Sequence, residues 1–361
     1  MKRIACFHLL NDYSGSPKVL RNVVEGLLKR GYAVDLHTSR GGVLDTLSHP
    51  ALRVVHTSYS FSPNALLTTA RYSLAQIKIF FKALRYTFKG DTVIYVNTIL
   101  PAGAALAGRL TGKRVVYHYH ENAYVKSGFY RMLTGIMQKL ADRIICVSAH
   151  QASFLKRREG VEVVPNTLDR AFASRLRPAP ESAFGRGEVL MLASLKGYKG
   201  TRDFLELARR LPEFRFTLVL NEDEGAVKQW LEGEAADRPG NVTVVARVKD
   251  VAPYYNRASV VVNLSNPGEF VETFGLTALE AMACGLPVIV PPVGGIAEMV
   301  DDGREGFLVD VRDSGKLTAA TRRLLTDRDT YLSCARAALE KASRFDEDSS
   351  IDSIAGIIEP D

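Results

Sequence analysis

The chain has 361 residues, of which 46% are hydrophobic and 24% are charged. This composition is typical of a soluble globular protein, and the length exceeds what one ordinary core accommodates, so we expect two domains. No run approaches the roughly 20 apolar residues of a membrane-spanning helix, and the apolar start is too short for a secretory signal.

The net charge of +7 conceals an asymmetry between the two halves of the chain. Residues 1–168 carry a net charge of +14, whereas residues 169–361 carry −7. Four scattered cysteines lie in apolar surroundings without C-x-x-C spacing. This usage indicates reduced core thiols in a cytoplasmic protein rather than disulfides or zinc ligands.

Residues 1–168 alternate short apolar strands with helical patterns. The strands begin with RIACFHLL and end with RIICVS, and helices are predicted near 19–31, 64–89, 101–111 and 129–141. Such alternation predicts a parallel sheet wrapped by helices, an N-terminal Rossmann-like domain. A stretch rich in proline, glycine and mixed charge, residues 169–187, is predicted as the linker.

The alternation starts again in residues 188–345, which we predict to form a C-terminal domain. Its strands include VLMLASL, RFTLVLN and SVVVNLS, and one long helix is predicted over roughly 316–344. The fold class is therefore α/β, with two doubly wound domains. Domains of this kind place a ligand cleft at the carboxyl ends of their strands.

The segment NPGEFVETFGLTALEAMACGLPVIVPPVGG carries the strongest functional signal. Glu272 lies on a predicted loop, Gly275 opens a helix, and Glu280 is expected two turns into that helix. A glycine at a helix start leaves backbone N–H groups and a positive dipole end that suit a phosphate. The first carboxylate can accept hydrogen bonds from sugar hydroxyls, and the second can reach a ribose diol.

This segment resembles the E-x7-E signature of retaining GT-B glycosyltransferases of glycosyltransferase family 4. The E-x-F-G start, the E-A-M-A-x-G-x-P-V helix exit and the following Gly294-Gly295 carry the resemblance. It implies two Rossmann-like domains facing across a cleft, with residues 346–361 forming a helix that crosses back to the N-terminal domain. It also places Phe274, Gly275 and Leu276 against the donor.

The resemblance implies a retaining, metal-independent hexosyl- or glycosyltransferase of class EC 2.4 that uses a nucleotide-diphosphate sugar and no other cofactor. Lys199, in SLKGYKGTRDF, resembles the lysine that binds the donor diphosphate in this family. The family usually carries an arginine five residues earlier, where this chain has Ser194. Losing that guanidinium is not a mild change, because lysine offers a point charge and no planar fork. Either Lys196 substitutes for the arginine or catalysis is slower.

Further donor contacts are implied on both domains. The turn after the first strand holds Gly15 and Ser16, where the backbone can approach a ligand closely. His120, after the strand RVVYHYH, resembles the histidine that orients the hydroxymethyl group of the donor sugar. The base is expected near Arg247 and Val248, a pattern that does not distinguish uracil from guanine or adenine.

A basic segment in the N-terminal half predicts contact with a membrane. No acidic residue lies between Asp45 and Asp91, and the helical stretch NALLTTARYSLAQIKIFFKALRYTFKG interleaves cations with leucine, isoleucine and aromatic residues. This pattern suits an anionic bilayer surface, whereas no nucleic-acid-binding motif accompanies it. The alternative is an ordinary packed helix with solvated lysines.

The sequence thus predicts a cytoplasmic glycosyltransferase, possibly peripheral on the inner face of the membrane, in polysaccharide or glycolipid assembly. Its partners would be a nucleotide-sugar donor, a glycan or lipid-linked acceptor and an anionic membrane surface, and not nucleic acid. Two alternatives stay open. One is a GT-B sugar-nucleotide epimerase or phosphorylase, and the other is a degenerate, non-catalytic subunit, suggested by Ser194.

Overall fold

The chain divides into two compact units, each built on a parallel sheet. The computed structural model describes residues 2–60, 62–122 and 128–359. The first unit comprises the chain up to Asn166 together with the segment from Asp348 onward, and the second unit comprises Thr167–Glu347.

The first unit contains a seven-stranded sheet in the order β3-β2-β1-β4-β5-β6-β7, and every pairing is parallel. Its strands are almost continuously apolar, as expected when helices cover both faces of a sheet. They are β1 Arg3–Phe7, β2 Ala33–Thr38, β3 Leu52–His56, β4 Thr92–Asn97, β5 Val115–Tyr119, β6 Arg143–Cys146 and β7 Val161–Val163.

The helices that precede the second unit cover this sheet. They are α1 Gly15–Lys29, α2 Ala65–Leu84, α3 Ala102–Leu110, α4 Gly128–Leu140 and α5 Ala149–Ser153. Helices α2, α3 and α4 share one face, where Ile79, Ala104 and Met137 pack in the same core as Ile94 and Tyr117 of the strands. Their opposite sides form the outer surface of one helical layer.

The second unit contains a six-stranded parallel sheet in the order β10-β9-β8-β11-β12-β13. Its strands are β8 Glu188–Ala193, β9 Arg215–Leu220, β10 Val242–Val245, β11 Val260–Val262, β12 Val288–Val290 and β13 Gly306–Leu308. The helices are α6 Arg170–Ala173, α7 Pro180–Phe184, α8 Thr201–Arg210, α9 Glu224–Glu232, α10 Ala252–Arg257, α11 Leu276–Ala283, α12 Ser314–Thr326 and α13 Arg328–Ala342. The predicted α/β class with two doubly wound sheets is confirmed.

The prediction of one helix over 316–344 is wrong, because Asp327 divides that segment into α12 and α13. Asp327 has an extended conformation, and its carboxylate accepts a hydrogen bond from the Thr330 amide at 3.1 Å. This N-cap starts a new helix where the apolar periodicity alone continues unbroken.

The last helix, α14, spans Glu347–Ile358 and packs within the first unit. Ile351 lies so close to Gly26 of α1 that an added Cβ atom would approach its Cγ1 atom to 2.7 Å. Arg30 at the end of α1 donates a hydrogen bond to Asp352 at 2.5 Å. No helix among the described residues is long and apolar enough to cross a membrane.

Candidate functional site

Both sheets have a point where the strand order reverses, and most of the predicted site residues follow the strands at these points. In the second sheet the reversal lies between β8 and β11, and in the first it lies between β1 and β4. The loops at the carboxyl ends of such strands diverge and leave a crevice in which open α/β sheets bind ligands.

Lys199 is held in the second unit on a tight turn after β8. The 3-10 turn Gly197–Lys199 ends at Gly200, whose φ is +74°. A Cβ atom on Gly200 would lie 2.2 Å from the backbone oxygen of Leu264, so this position requires glycine. The turn therefore packs directly against the chain that follows β11.

The side chain of Lys199 forms an ion pair with Glu272. The ammonium also lies 4.6 Å from the ring centroid of Phe270, within cation–π range. Both charged side chains are largely buried, at 21% exposure for Lys199 and 14% for Glu272. The structure thus brings together two residues that lie 73 positions apart and were predicted to act on the same donor.

Glu272 is held as a carboxylate by several partners. Burial alone would raise its pKa, but the Lys199 ammonium and hydrogen bonds from Ser265 and Asn263 outweigh burial and lower the pKa below its usual value. Ser265 donates through its hydroxyl at 2.9 Å. An ionised Glu272 is an acceptor only, which suits sugar hydroxyl donors.

Gly275 is the N-cap of α11, with φ at +99°, and no described side chain caps this helix. A Cβ atom at Gly275 would lie 2.5 Å from the side chain of Ile296, so both conformation and space require glycine. The helix start consequently presents backbone N–H groups suited to an anion. Leu276 is the first helical residue, whereas the Phe274 ring is buried against Phe345.

Glu280 is the fifth residue of α11, so it lies little more than one turn into the helix, not two as expected from the sequence. Its carboxylate accepts a hydrogen bond from the hydroxyl of Tyr255 at 2.5 Å. Tyr255 is fully buried on α10, and this contact fixes the direction of the Glu280 side chain.

Of the remaining predicted positions of the second unit, Arg247 lies beside Glu222, because its amide donates to the Glu222 carbonyl at 2.8 Å. One carboxylate oxygen of Glu222 accepts from the Leu195 amide, beside the half-buried Ser194, and the other is buried without a hydrogen-bond partner in the described chain. The Arg247 guanidinium donates to the Asn221 carbonyl, and Val248 is half-buried. Lys196 is exposed.

In the first unit, Gly15 and Ser16 are the first two residues of α1. Ser14 occupies the N-cap, but its hydroxyl donates to Asp12 at 2.5 Å instead of capping the helix. As in α11, no described side chain caps the first turn. Because α1 follows β1 along the chain, this uncapped helix start lies at the carboxyl edge of the sheet.

His120 directly follows β5 and is positioned by a chain of hydrogen bonds. Its Nε2 atom lies 2.9 Å from Oδ1 of the fully buried Asn97, whose amide nitrogen lies 3.0 Å from Nδ1 of His8. The Nε2 atom of His8 lies 2.8 Å from the Leu10 carbonyl oxygen. The His118 ring lies beside that of His120, with ring centroids 4.2 Å apart and the ring planes tilted by 37°.

This chain of bonds fixes the tautomer of His120. The Leu10 carbonyl can only accept, so neutral His8 carries its proton on Nε2 and accepts from the Asn97 amide through Nδ1. Asn97 then presents its oxygen to Nε2–H of His120. Burial, with the neighbouring His118 and His8, lowers the pKa of His120 well below its usual value, so the ring is held in its neutral form.

Sequence reasoning missed the residues that support the predicted ones. Asn97 and His8 position His120, and Ser265 and Tyr255 position the two glutamates. None of these four lies in the E-x7-E segment, although Ser265 directly precedes it. A signal existed for Asn97 and His8, because polar residues at the ends of buried strands mark the carboxyl edge. Within the described ranges, no group of three or more His, Cys, Asp or Glu residues could hold a metal ion.

Comparison with family models gives two matches, one in each half of the chain. Residues 13–172 match the model described as Glycosyltransferase Family 4, and residues 186–327 match Glycosyl transferases group 1. Together the two matches include every predicted site residue.

Curated relatives match over part of their length. D-inositol 3-phosphate glycosyltransferase 2 of Catenulispora acidiphila is 34% identical over 200 residues, which is 52% of this chain and 42% of that protein. D-inositol 3-phosphate glycosyltransferase of Kribbella flavida is 32% identical over 229 residues, 57% of this chain and 53% of that protein. The chain thus spans about half the length of these relatives.

Solved structures match over the whole chain at low identity. HepE of Anabaena, in complex with UDP and glucose, gives a TM-score of 0.78 with 21% identity and covers 99% of both chains. Sucrose-phosphate synthase of Thermosynechococcus elongatus gives 0.81 with 22% identity, covering 99% of this chain and 98% of that one. The likeness shows the fold, and the predicted GT-B architecture is confirmed.

Proposed function

Because this chain belongs to glycosyltransferase family 4, we propose that it moves a sugar from a nucleotide-diphosphate donor to a glycan or lipid-linked acceptor. The observation that carries the proposal is the buried Lys199–Glu272 pair beside the glycine-started helix α11. It supplies a cation for a diphosphate, an anion for sugar hydroxyls and a set of backbone donors within one unit.

Each group has a role in this proposal. The ammonium of Lys199 and the amides at Gly275 bind the diphosphate and stabilise the negative charge that grows as it leaves. Glu272 accepts from hydroxyls of the donor sugar, and Glu280, oriented by Tyr255, accepts from the ribose. Lysine has three N–H donors, so Lys199 can bind the diphosphate while keeping its bond to Glu272.

In this proposal His120 of the first unit orients the hydroxymethyl group of the donor sugar, which is the role that the family resemblance implies for it. The backbone at Gly15 and Ser16 lines the same carboxyl edge of the first sheet and approaches the transferred group.

The proposed reaction retains anomeric configuration and uses no metal. The acceptor oxygen forms a bond to the anomeric carbon on the face from which the phosphate oxygen departs, and the acceptor proton passes to that phosphate. Developing charge is neutralised by the lysine and the helix start, a task that a divalent cation performs in other transferases.

The relatives indicate where to look for substrates. HepE was solved with UDP and glucose, so UDP-glucose is the first donor to test. The curated relatives carry D-inositol 3-phosphate in their names, which places that compound beside lipid-linked sugars among the acceptors to test. The net charge of +14 in residues 1–168 supports a cytoplasmic protein that is peripheral on an anionic membrane face.

The test is turnover of a donor panel, with and without acceptors, followed by assignment of the product anomer by NMR. Glu272→Gln should abolish transfer, whereas Glu232→Gln, on the exposed side of α9, should leave it intact. An inverted product would refute the retaining mechanism. Isomerisation of the donor sugar without an acceptor would favour the epimerase alternative, and phosphate-dependent cleavage would favour the phosphorylase. Donor binding without any turnover would favour the non-catalytic subunit.

A further inference from the structure

Exposed apolar side chains are concentrated on one side of the first unit. Ten of the fifteen large apolar residues that are exposed in the described part of the chain lie on α2, α3 and α4 or on the turn after α2. Since these helices share a core on one sheet face, their outer sides form a continuous layer. We call this the apolar outer surface and define it by Leu74, Ile77, Phe81, Leu106, Leu110 and Met132.

On α2 the exposed apolar residues follow helical spacing. Leu74, Ile77 and Phe81 are separated by three and four positions, so they stand on one stripe. Ile77 is 55% exposed and Phe81 62% exposed, whereas Ala75 and Ile79 on the opposite side are buried. The helix is therefore apolar on both its core side and its outer side.

Positive charge accompanies this stripe, and negative charge is absent from it. The sequences of α2, α3 and α4 contain no aspartate or glutamate. Lys78 and Arg85 lie exposed along the edge of the α2 stripe. Lys82, another cation of the segment predicted to contact a membrane, instead donates to the His56 carbonyl and the Thr57 hydroxyl and is tied to its own unit.

A basic cavity opens at the ends of the same helices. Its volume is about 400 Å³, and it is lined by Arg109, Gly112, Lys113, Arg114, Asp142 and Arg143. Two of these cations are already engaged, because Arg109 lies 3.2 Å from the Asp142 carboxylate and Lys113 donates to the Lys89 and Gly90 carbonyls. The cavity adds positive charge beside Leu106 and Leu110 of α3, and the Asp142 carboxylate offsets part of that charge.

We propose that the apolar outer surface inserts into the interface of an anionic lipid bilayer. An apolar surface edged by cations and free of carboxylates matches acyl chains beneath anionic headgroups. A protein partner would have to match the cations with carboxylates of its own, whereas a bilayer places anionic headgroups above its acyl chains everywhere on its surface. This inference deepens the proposed membrane-facing role of the first unit and does not depend on sugar transfer.

Insertion and electrostatic attraction respond differently to salt, which provides the test. Binding of the full chain to phosphatidylcholine–phosphatidylglycerol vesicles (about 7:3) is measured by co-sedimentation at low salt and at about 1 M NaCl, where the Debye length falls to about 3 Å. The wild type should retain a salt-resistant fraction. In the triple variant Leu74→Gln/Ile77→Gln/Phe81→Gln, the vesicle partition coefficient at high salt should fall at least about tenfold, because the apolar area that the bilayer buries is removed.

Two further variants separate the contributions. Lys78→Gln/Arg85→Gln should weaken binding at low salt and leave the salt-resistant part unchanged. Val163→Gln is the matched control for Ile77→Gln, since Val163 is a β-branched residue with 44% exposure on β7 of the same unit. It should bind like the wild type, and the thermal midpoints of all variants should stay close to that of the wild type.

A fluorescent variant reports insertion directly. The chain has one tryptophan, Trp230, which is buried in the second unit. Phe81→Trp should therefore add emission that shifts to the blue on vesicles and is quenched by lipids brominated on the acyl chain. Wild-type binding that vanishes at high salt, or unquenched emission, would overturn insertion, and so would a dimer in solution that the triple variant dissociates.

Discussion

Replacing Lys199 by methionine tests the electrostatic account of the candidate site. Methionine keeps much of the apolar stem but removes the charge, so the carboxylate of Glu272 loses its cation while staying largely buried. Breaking a fully buried pair by removing one partner costs roughly 3–5 kcal/mol. The two side chains retain 21% and 14% exposure, so we expect a loss of about 2–4 kcal/mol at pH 7.

The pH dependence of that loss is the diagnostic part. In the wild type the pKa of Glu272 lies below its unfolded value, so its contribution to stability is present above that value and is lost as the pH falls toward the folded pKa. Without Lys199, burial dominates and the pKa rises. The penalty of Lys199→Met should then shrink on acidification by about 1.4 kcal/mol for each unit of that rise, because protonation neutralises the buried group.

Urea denaturation between pH 4.5 and pH 7, at roughly half-unit steps around the usual carboxyl pKa, measures this change. Lys196→Met is the matched control, since Lys196 is exposed and should change stability by no more than about 0.5 kcal/mol. Adding Glu272→Gln to the Lys199 variant should recover part of the loss. A penalty that is equal at both ends of the pH range, or no recovery in the double variant, would refute the reasoning.

Three further predictions concern the backbone and the buried polar groups. Asn97→Leu should lower the free energy of unfolding by about 2–5 kcal/mol in urea denaturation, because two buried imidazole nitrogens lose their hydrogen-bond partner. With the sugar donor identified, the same variant should also show a lower kcat, because His120 loses the bond that positions it. Gly275→Ala should cost about 2–4 kcal/mol and abolish nucleotide-dependent thermal shifts, whereas Gly90→Ala, which has open space around it, should be neutral. The first unit should lose stability as the pH falls below about 6.5, because burial lowers the pKa of His8, His37, His118 and His120 and the unfolded chain takes up protons there first. His118→Gln should flatten the slope of the thermal midpoint against pH.

Local chemistry made much of the second unit predictable. The roles of Gly275 and Glu272 could be predicted because the glycine conformation, the helix dipole and the carboxylate of one short segment all indicate a donor site. The buried strands could be predicted from apolar runs. Asp327 shows the limit of periodicity. The helical pattern of apolar residues continues across Asp327. Only the hydrogen bond from the Thr330 amide to the Asp327 carboxylate, three residues earlier, divides α12 from α13.

Contacts between distant residues were beyond the sequence. The bond between His8 and Asn97 joins residues 89 positions apart, and it exists because β1 and β4 are neighbours at the point where the strand order reverses. The Lys199–Glu272 pair depends in the same way on β8 lying beside β11. Spacing along the chain identifies the residues, whereas strand order decides which of them meet.

The most direct test of the account is a thermal-unfolding panel with UDP, GDP, ADP and dTDP on the wild type, Glu280→Ala and the exposed control Glu232→Ala. A nucleotide at about 100 times its dissociation constant adds roughly 2.7 kcal/mol of stability, which shifts the midpoint clearly. The account predicts that one nucleotide stabilises the wild type and the control and fails to stabilise Glu280→Ala. No shift with any nucleotide, or an equal shift in all three proteins, would contradict a donor site at the start of α11.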